Sequence, residues 1–192
     1  MNDLMFALDI GNVSVVLRVE ECLRAFSMTM DSIPPEFFAL ARDVETGRAS
    51  SEAFLDRMEA MLGGTMSRKA IVDAWNVMIG PTVPGMTDAV RELARRGASF
   101  RFLSNTSGLH LEQVFRVCGF AHLVSGGIYS HIAGRAKPDR GIYEDFERAW
   151  GRPLAFFDDM PENVAGARAC GWNAIRFESA EQFFREAEAL LP

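Results

Sequence analysis

The second half of the chain alternates between short apolar segments and longer segments with helical spacing, and this pattern constrains the fold most. Strands are predicted at 99–104, 127–130, 154–157 and 173–177. Helices are predicted at about 109–118, 139–150, 161–170 and 181–191. Strands that alternate with helices form a parallel sheet with right-handed crossovers. The pattern therefore predicts an α/β fold, with a Rossmann-like parallel sheet and helices on both faces.

A further strand is predicted at 4–8, where an apolar run ends at Asp9 and is followed by Gly11 and Asn12. A short apolar run bounded by turn residues is typical of a buried parallel strand. Between 19 and 78 the sequence has helix patterns with little strand signal, and 80–85 is a link rich in Gly and Pro. We therefore predict a core of residues 1–14 and 85–192, with a helical insertion of residues 15–84 after the first strand.

The composition excludes several functional classes. The formal net charge of −6 argues against a general binder of nucleic acid or anionic membranes, because phosphate groups need a basic protein surface. No apolar run approaches the roughly 18 residues of a transmembrane helix. The 3 cysteines match no metal motif and are expected to be free thiols in a reducing compartment. We expect a cytoplasmic protein without nucleic-acid or membrane partners, and both a monomer and a dimer stay open.

Polar side chains follow the predicted strands at the edge where parallel sheets bind ligands. They are Asp9, Ser104, Asn105, Lys137 and the pair Asp158–Asp159. Carboxylates beside a phosphate suit Mg²⁺, hydroxyl and amide groups can donate to phosphate oxygens, and a lysine supplies a point charge. Each group also has an ordinary explanation, since such residues open turns, cap helices or lie in solvent. Taken singly, these residues leave both readings open.

Their order along the chain resembles the motif set of the haloacid dehalogenase-like hydrolase superfamily. The matching segments are Asp9–Val13, Leu103–Thr106, Lys137–Tyr143 and Phe156–Ala167. The helical insertion, residues 15–84, corresponds to the small α-helical cap of that family. Within the superfamily the chain is similar to the branch with bacterial α-D-glucose-1-phosphate phosphatases, whose first motif also has the pattern Asp-x-Gly-Asn.

The resemblance implies a Mg²⁺-dependent phosphatase of small phosphorylated metabolites, with sugar phosphates expected. Asp9 would be the nucleophile that forms an aspartyl-phosphate. Asp9, the Gly11 carbonyl and Asp158 would hold Mg²⁺, and Asp159 would assist through water or as a hydrogen-bond acceptor.

The resemblance also implies a phosphate-binding set and a neutralising charge. Ser104 would bind the phosphate, with Asn105 as a further donor. Lys137 would neutralise both the nucleophile and the phosphate. Asn163 would lie near the metal or the lysine.

One departure from the family pattern concerns Gly11. Most phosphatases of the family have a second Asp there, which protonates the leaving oxygen, a contribution typically of about 10² to 10⁴ in rate. Its loss keeps open a phosphate-binding or regulatory protein of low activity. A 2-haloacid dehalogenase is a further alternative, disfavoured because such enzymes usually have a bulky aromatic residue where Gly11 stands.

Overall fold

A computed structural model describes residues 4–192, so residues 1–3 of the predicted core lie outside the described range. The strands within that range are β1 (Met5–Leu8), β2 (Val15–Leu17), β3 (Ile79–Thr82), β4 (Ser99–Ser104), β5 (Val124–Tyr129), β6 (Ala155–Asp158) and β7 (Ala174–Arg176). Five of them form a parallel sheet in the order β5–β4–β1–β6–β7. The predicted α/β class and parallel sheet are confirmed.

The helices cover most of the remaining described chain. They are α1 (Val19–Ala25), α2 (Pro35–Glu45), α3 (Ser51–Met61), α4 (Arg68–Asn76), α5 (Met86–Arg95), α6 (Gly108–Val117), α7 (Ser130–Ala133), α8 (Arg140–Trp150), α9 (Pro161–Ala169) and α10 (Ala180–Glu188). In residues 4–192 no helix combines the length and the apolar character that crossing a membrane requires.

Strand β1 lies at the centre of the sheet and is buried on both faces. Alternate residues of a strand point to opposite faces. Phe6 and Leu8 pack in a cluster with residues of α5 and α10, whereas Met5 and Ala7 pack in a second cluster with residues of α8 and α9. Helices therefore cover both faces, and the residue that follows β1 lies in the middle of the carboxyl edge.

Helices α1–α4 form a second unit with its own apolar core around Trp75. The Trp75 ring contacts Phe54 at 4.8 Å and Phe37 at 6.0 Å between ring centroids. Two serines cap these helices, since Ser50 accepts from Ala53 N and Ser67 accepts from Ala70 N. Helices α1–α4 are called the cap below, and its limits at residues 15 and 84 stay a prediction.

The segment predicted as a link at 80–85 instead begins in a strand. Strand β3 pairs antiparallel with β2, so the two chain segments that join core and cap are hydrogen-bonded to each other. Pairing gives partners to backbone groups that would otherwise be unsatisfied at this junction. Gly80 and Pro81 concealed the strand, because both residue types are rare inside strands.

Strand β5 also begins earlier than the predicted span of 127–130. Gly126 and Gly127 interrupt its apolar pattern and weaken the strand signal. A Cβ atom at Gly127 would lie 2.7 Å from the Phe102 carbonyl oxygen in β4. The close approach of these two strands therefore requires glycine at this position.

Candidate active site

The predicted site residues come together at the carboxyl ends of three adjacent strands, β4, β1 and β6. Asp9 follows β1, Ser104 ends β4 and Asp158 ends β6. A cleft of about 210 Å³ lies above them, between the sheet edge and the cap. The lining includes the predicted residues Asp9, Gly11, Ser104, Asn105, Lys137, Asp159 and Asn163. Asp158 is fully buried beside them.

Lys137 joins two carboxylates in the interior of this site. Its Nζ atom lies 2.8 Å from Asp9 Oδ1 and 2.6 Å from Asp158 Oδ2, and it donates to the Leu103 carbonyl at 2.8 Å. Burial alone would lower the pKa of Lys137, but Asp9 and Asp158 outweigh burial, so its pKa is raised. The lysine is therefore a fixed positive charge at the centre of the site.

Asn105 holds the backbone of Lys137 from both sides. Its Nδ2 donates to the Lys137 carbonyl at 2.9 Å, and its Oδ1 accepts from the Lys137 amide at 2.8 Å. Asn105 was predicted to donate a hydrogen bond to the phosphate. The bonds to Lys137 engage its side-chain carbonyl and one of its two N–H groups. The residue therefore positions the lysine, and one amide N–H is left for a ligand.

Asp9 is a buried carboxylate in an unusual electrostatic position. Its pKa is raised to about 6, because burial and the charge of Asp158 together outweigh the opposing charge of Lys137. Its Oδ1 forms the ion pair with Lys137 but accepts no well-directed hydrogen bond from residues 4–192. At neutral pH most Asp9 side chains are ionised and have few hydrogen bonds, as a nucleophile requires.

The two acids of the pair Asp158–Asp159 have different surroundings. Asp158 accepts from Met160 N at 2.9 Å, from Asn163 Nδ2 at 3.0 and 3.1 Å, and from Lys137. Asp159 is half-buried and accepts from Asn12 Nδ2 at 3.1 Å. Protein donors therefore occupy both oxygens of Asp158, whereas Asp159 keeps an oxygen for a ligand in the cleft.

Asn12 and Gly11 shape the loop after β1. Asn12 has the left-handed φ of 52°, which Asn tolerates better than most residues, and its Oδ1 accepts from Leu17 N. A Cβ atom at Gly11 would lie 2.8 Å from Leu17 Cδ1, the end of a flexible side chain. Gly11 is therefore close to its neighbours, but a small shift of Leu17 would admit a side chain.

The donor set fits a divalent cation that prefers oxygen. One ligand atom from each of Asp9, Asp158 and Asp159 lies within 4.8 Å of the other two. Carboxylate oxygens are ligands that Mg²⁺ prefers in proteins. With three carboxylates and one lysine the cluster has an excess of negative charge, which such a cation would offset.

The structure adds residues that the sequence analysis did not assign to the site. Glu45 and Thr106 line the cleft, together with Met78 and Ile79. Glu45 ends helix α2, where an acid is unfavourable because the helix dipole places negative charge there. That mismatch is the sequence signal that could have indicated a functional acid.

His110 lines the cleft as well, but the structure gives it a packing role. Its ring stacks on Trp75 with centroids 4.5 Å apart, and its Nε2 lies 3.0 Å from the Trp75 carbonyl. Burial lowers its pKa to about 4. Trp75 and Phe37 lie in the apolar core of the cap, and Arg48 pairs with Asp43 at 2.9 Å on the cap surface.

The parallel sheet thus carries a carboxylate–lysine–carboxylate centre at its carboxyl edge. The family model of the haloacid dehalogenase-like hydrolases matches residues 37–171. The chain therefore belongs to the haloacid dehalogenase-like hydrolases, which confirms the family resemblance at the level of the superfamily.

Solved structures share the fold of this chain. The family enzyme BT-2542 from Bacteroides thetaiotaomicron matches with a TM-score of 0.82 and 22% identity, over 94% of this chain and 96% of that one. Its wild-type complex with magnesium and inorganic phosphate matches with a TM-score of 0.80 and 22% identity, over 91% of this chain and 94% of that one. A predicted haloacid dehalogenase-like (HAD-like) family hydrolase from Porphyromonas gingivalis matches with a TM-score of 0.80 and 23% identity, over 97% of both chains. No curated protein sequence matches the chain.

Proposed function

We propose that this hydrolase is a Mg²⁺-dependent phosphatase of small phosphorylated metabolites, with sugar phosphates as the substrate class. The observation that carries the proposal is the buried Asp9 carboxylate beside Lys137. The cleft above it is also lined by the acids Glu45 and Asp159. BT-2542, which has the same fold, was crystallised with magnesium and inorganic phosphate.

In the proposed first step the Asp9 carboxylate attacks phosphorus, and the bond to the leaving oxygen breaks. The product is an aspartyl-phosphate, which water then hydrolyses, so that two easier steps replace one difficult step. Lys137 offsets the charge of Asp9 and of the incoming phosphate, and Asn105 fixes the lysine backbone. The Ser104 hydroxyl, at the end of β4, donates to a phosphate oxygen.

The Mg²⁺ ligands in this proposal are Asp9, the Gly11 carbonyl and the acids Asp158 and Asp159. The bound ion would offset repulsion between Asp9 and the phosphate and polarise the phosphoryl oxygens. Asp159 is the better direct ligand, because protein donors already occupy both oxygens of Asp158. This reverses the preference for Asp158 that the resemblance implied and makes Asp158 the buried partner of Lys137.

Three classes of activity can be separated with purified protein. Phosphate release from a panel of about fifty phosphorylated metabolites, with Mg²⁺ and with EDTA, tests the proposal. We expect release from one or more sugar phosphates, abolished by EDTA and by Asp9→Asn. Metal-independent chloride release from 2-chloropropionate would instead indicate a dehalogenase, and phosphate binding without turnover of any substrate would indicate a binding protein.

A further inference from the structure

Breaking the bond to an alcohol leaving group requires a proton, and the loop after β1 does not supply one. Gly11 has no side chain, and an alkoxide is a poor leaving group at neutral pH. In an in-line displacement the leaving oxygen lies opposite the attacking atom. With Asp9 on the sheet edge, the leaving group therefore faces the cap side of the cleft.

The cap contributes one carboxyl group to that side of the cleft within the described chain. Glu45 is the last residue of α2 and lines the same cleft as Asp9, Ser104 and Lys137. Other titratable side chains of this lining are committed elsewhere. Lys137 is paired with two carboxylates, Asp9 is the proposed nucleophile, and Asp159 is a proposed Mg²⁺ ligand.

His110 is not a suitable proton donor either. Its Nε2 lies 3.0 Å from a carbonyl oxygen, that of Trp75, and a carbonyl can only accept a hydrogen bond. The proton of the neutral ring is therefore on Nε2 and directed away from a substrate. Burial lowers the pKa of His110 to about 4, so at neutral pH the ring has no second proton.

The end of α2 is fixed against the core, at α7 and the loop between β4 and α6. The Ser130 hydroxyl donates to the Glu45 carbonyl and accepts from Thr106 N, the latter at 2.9 Å. Gly47 lies against the His131 backbone so closely that a Cβ atom there would overlap the His131 carbonyl oxygen. These contacts hold the Glu45 backbone at a defined position relative to the loop that follows Ser104.

The Glu45 carboxyl group is kept without a counter-charge. In residues 4–192 it has no ion-pair or hydrogen-bond partner for its side chain, and burial raises its pKa to about 7. A helix C-terminus also disfavours a negative charge. At neutral pH a large fraction of the molecules therefore carry a proton on Glu45.

We propose that Glu45 is a catalytic residue that donates a proton to the leaving oxygen of the substrate, in place of the side chain missing at Gly11. As the Asp9 oxygen bonds to phosphorus and the bond from phosphorus to the leaving oxygen breaks, the Glu45 carboxyl proton passes to that oxygen. The Glu45 carboxylate then takes a proton from the water that attacks the aspartyl-phosphate, which releases phosphate and restores the acid. This inference rests on the proposed phosphatase function.

The test compares leaving groups of different acidity. The first reaction half determines kcat/KM, so we compare Glu45→Gln with wild type on an alkyl or sugar phosphate and on p-nitrophenyl phosphate. The alkyl substrate should lose about 10² or more in kcat/KM, whereas p-nitrophenyl phosphate, which needs no proton, should lose less than about fivefold. Equal losses on both substrates, or no loss on either, would overturn the assignment.

Glu36→Gln is the matched control, because Glu36 lies exposed in the first turn of the same helix. It should leave both kcat/KM values unchanged. A second readout is the release of p-nitrophenolate by Glu45→Gln before the steady state. We expect a burst of about one equivalent per enzyme, because the aspartyl-phosphate accumulates when no base activates water; steady release without a burst would contradict the second role.

The outcomes separate this inference from the proposed function. If wild-type protein hydrolyses no phosphate ester, the phosphatase proposal fails, and Glu45 has no leaving group to protonate. If wild-type protein is active and Glu45→Gln shows no dependence on the leaving group, only the role of Glu45 fails.

Discussion

Replacing Lys137 with Met should destabilise the metal-free protein more strongly at pH 7 than at pH 5. The substitution keeps most of the aliphatic volume but leaves Asp9 and Asp158 buried without a counter-charge. The variant can relieve their repulsion by protonating Asp9, and at pH 7 this costs about 1 kcal/mol against a pKa of about 6. Loss of a charge-assisted hydrogen bond adds about 1.5–3 kcal/mol. The total of about 3–4 kcal/mol agrees with the usual cost of removing one partner of a buried ion pair, about 3–5 kcal/mol.

The pH dependence has a definite sign. At pH 5, below the Asp9 pKa of about 6, Asp9 is already protonated in the wild type. The protonation cost of about 1 kcal/mol is then absent, and the destabilisation should fall to the hydrogen-bond contribution. Urea unfolding of both proteins with EDTA at the two pH values measures the difference.

The chain offers a matched control, because its second lysine is on the surface. The Lys69 side chain is 84% exposed, against 1% for Lys137. Lys69→Met should change the free energy of unfolding by less than about 0.5 kcal/mol. A Lys137→Met variant as stable as Lys69→Met, or one destabilised more at pH 5 than at pH 7, would contradict this prediction.

Three further substitutions test other parts of the site. Between pH 7 and 4.5 the free energy of unfolding should fall by about 2 kcal/mol less in His110→Gln than in wild type, because burial lowers the His110 pKa to about 4. Parallel pH profiles of the free energy of urea unfolding would contradict this. Asp159→Asn should raise the Mg²⁺ concentration for half-maximal phosphatase activity about tenfold or more, and equal values for the exposed control Asp31→Asn would refute the ligand assignment. Gly11→Asp, added to Glu45→Gln, should restore kcat/KM on alkyl phosphates about tenfold; no recovery in a folded double variant would count against a missing acid at this position.

The sequence predicted the sheet and the positions of the main site residues. Asp9, Ser104 and Asp158 each follow or end an apolar strand, and parallel strands bring such ends to one edge whatever the intervening helices do. Fold class and site location therefore depend on local patterns, and local patterns are visible in the sequence. The family motifs then specified which polar residues belong together.

The sequence did not predict the hydrogen-bond partners of the residues at that edge. Asn105 binds the Lys137 backbone 32 residues away, and the Glu45 carbonyl accepts from Ser130, 85 residues away. No local pattern encodes such contacts. The strand β3 was missed for a similar reason, because its pairing with β2 across the cap outweighs the low strand propensity of Gly80 and Pro81.

The central prediction is that Asp9 is the covalent nucleophile of a phosphatase. The most direct measurement is an acid quench within the first turnover of a hydrolysed sugar phosphate with Mg²⁺, followed by borohydride reduction and peptide mass analysis. Reduction converts an aspartyl-phosphate to homoserine, and we predict homoserine at position 9 in wild-type protein and none in Asp9→Asn. Turnover without homoserine at position 9, or homoserine at another aspartate, would contradict the assignment.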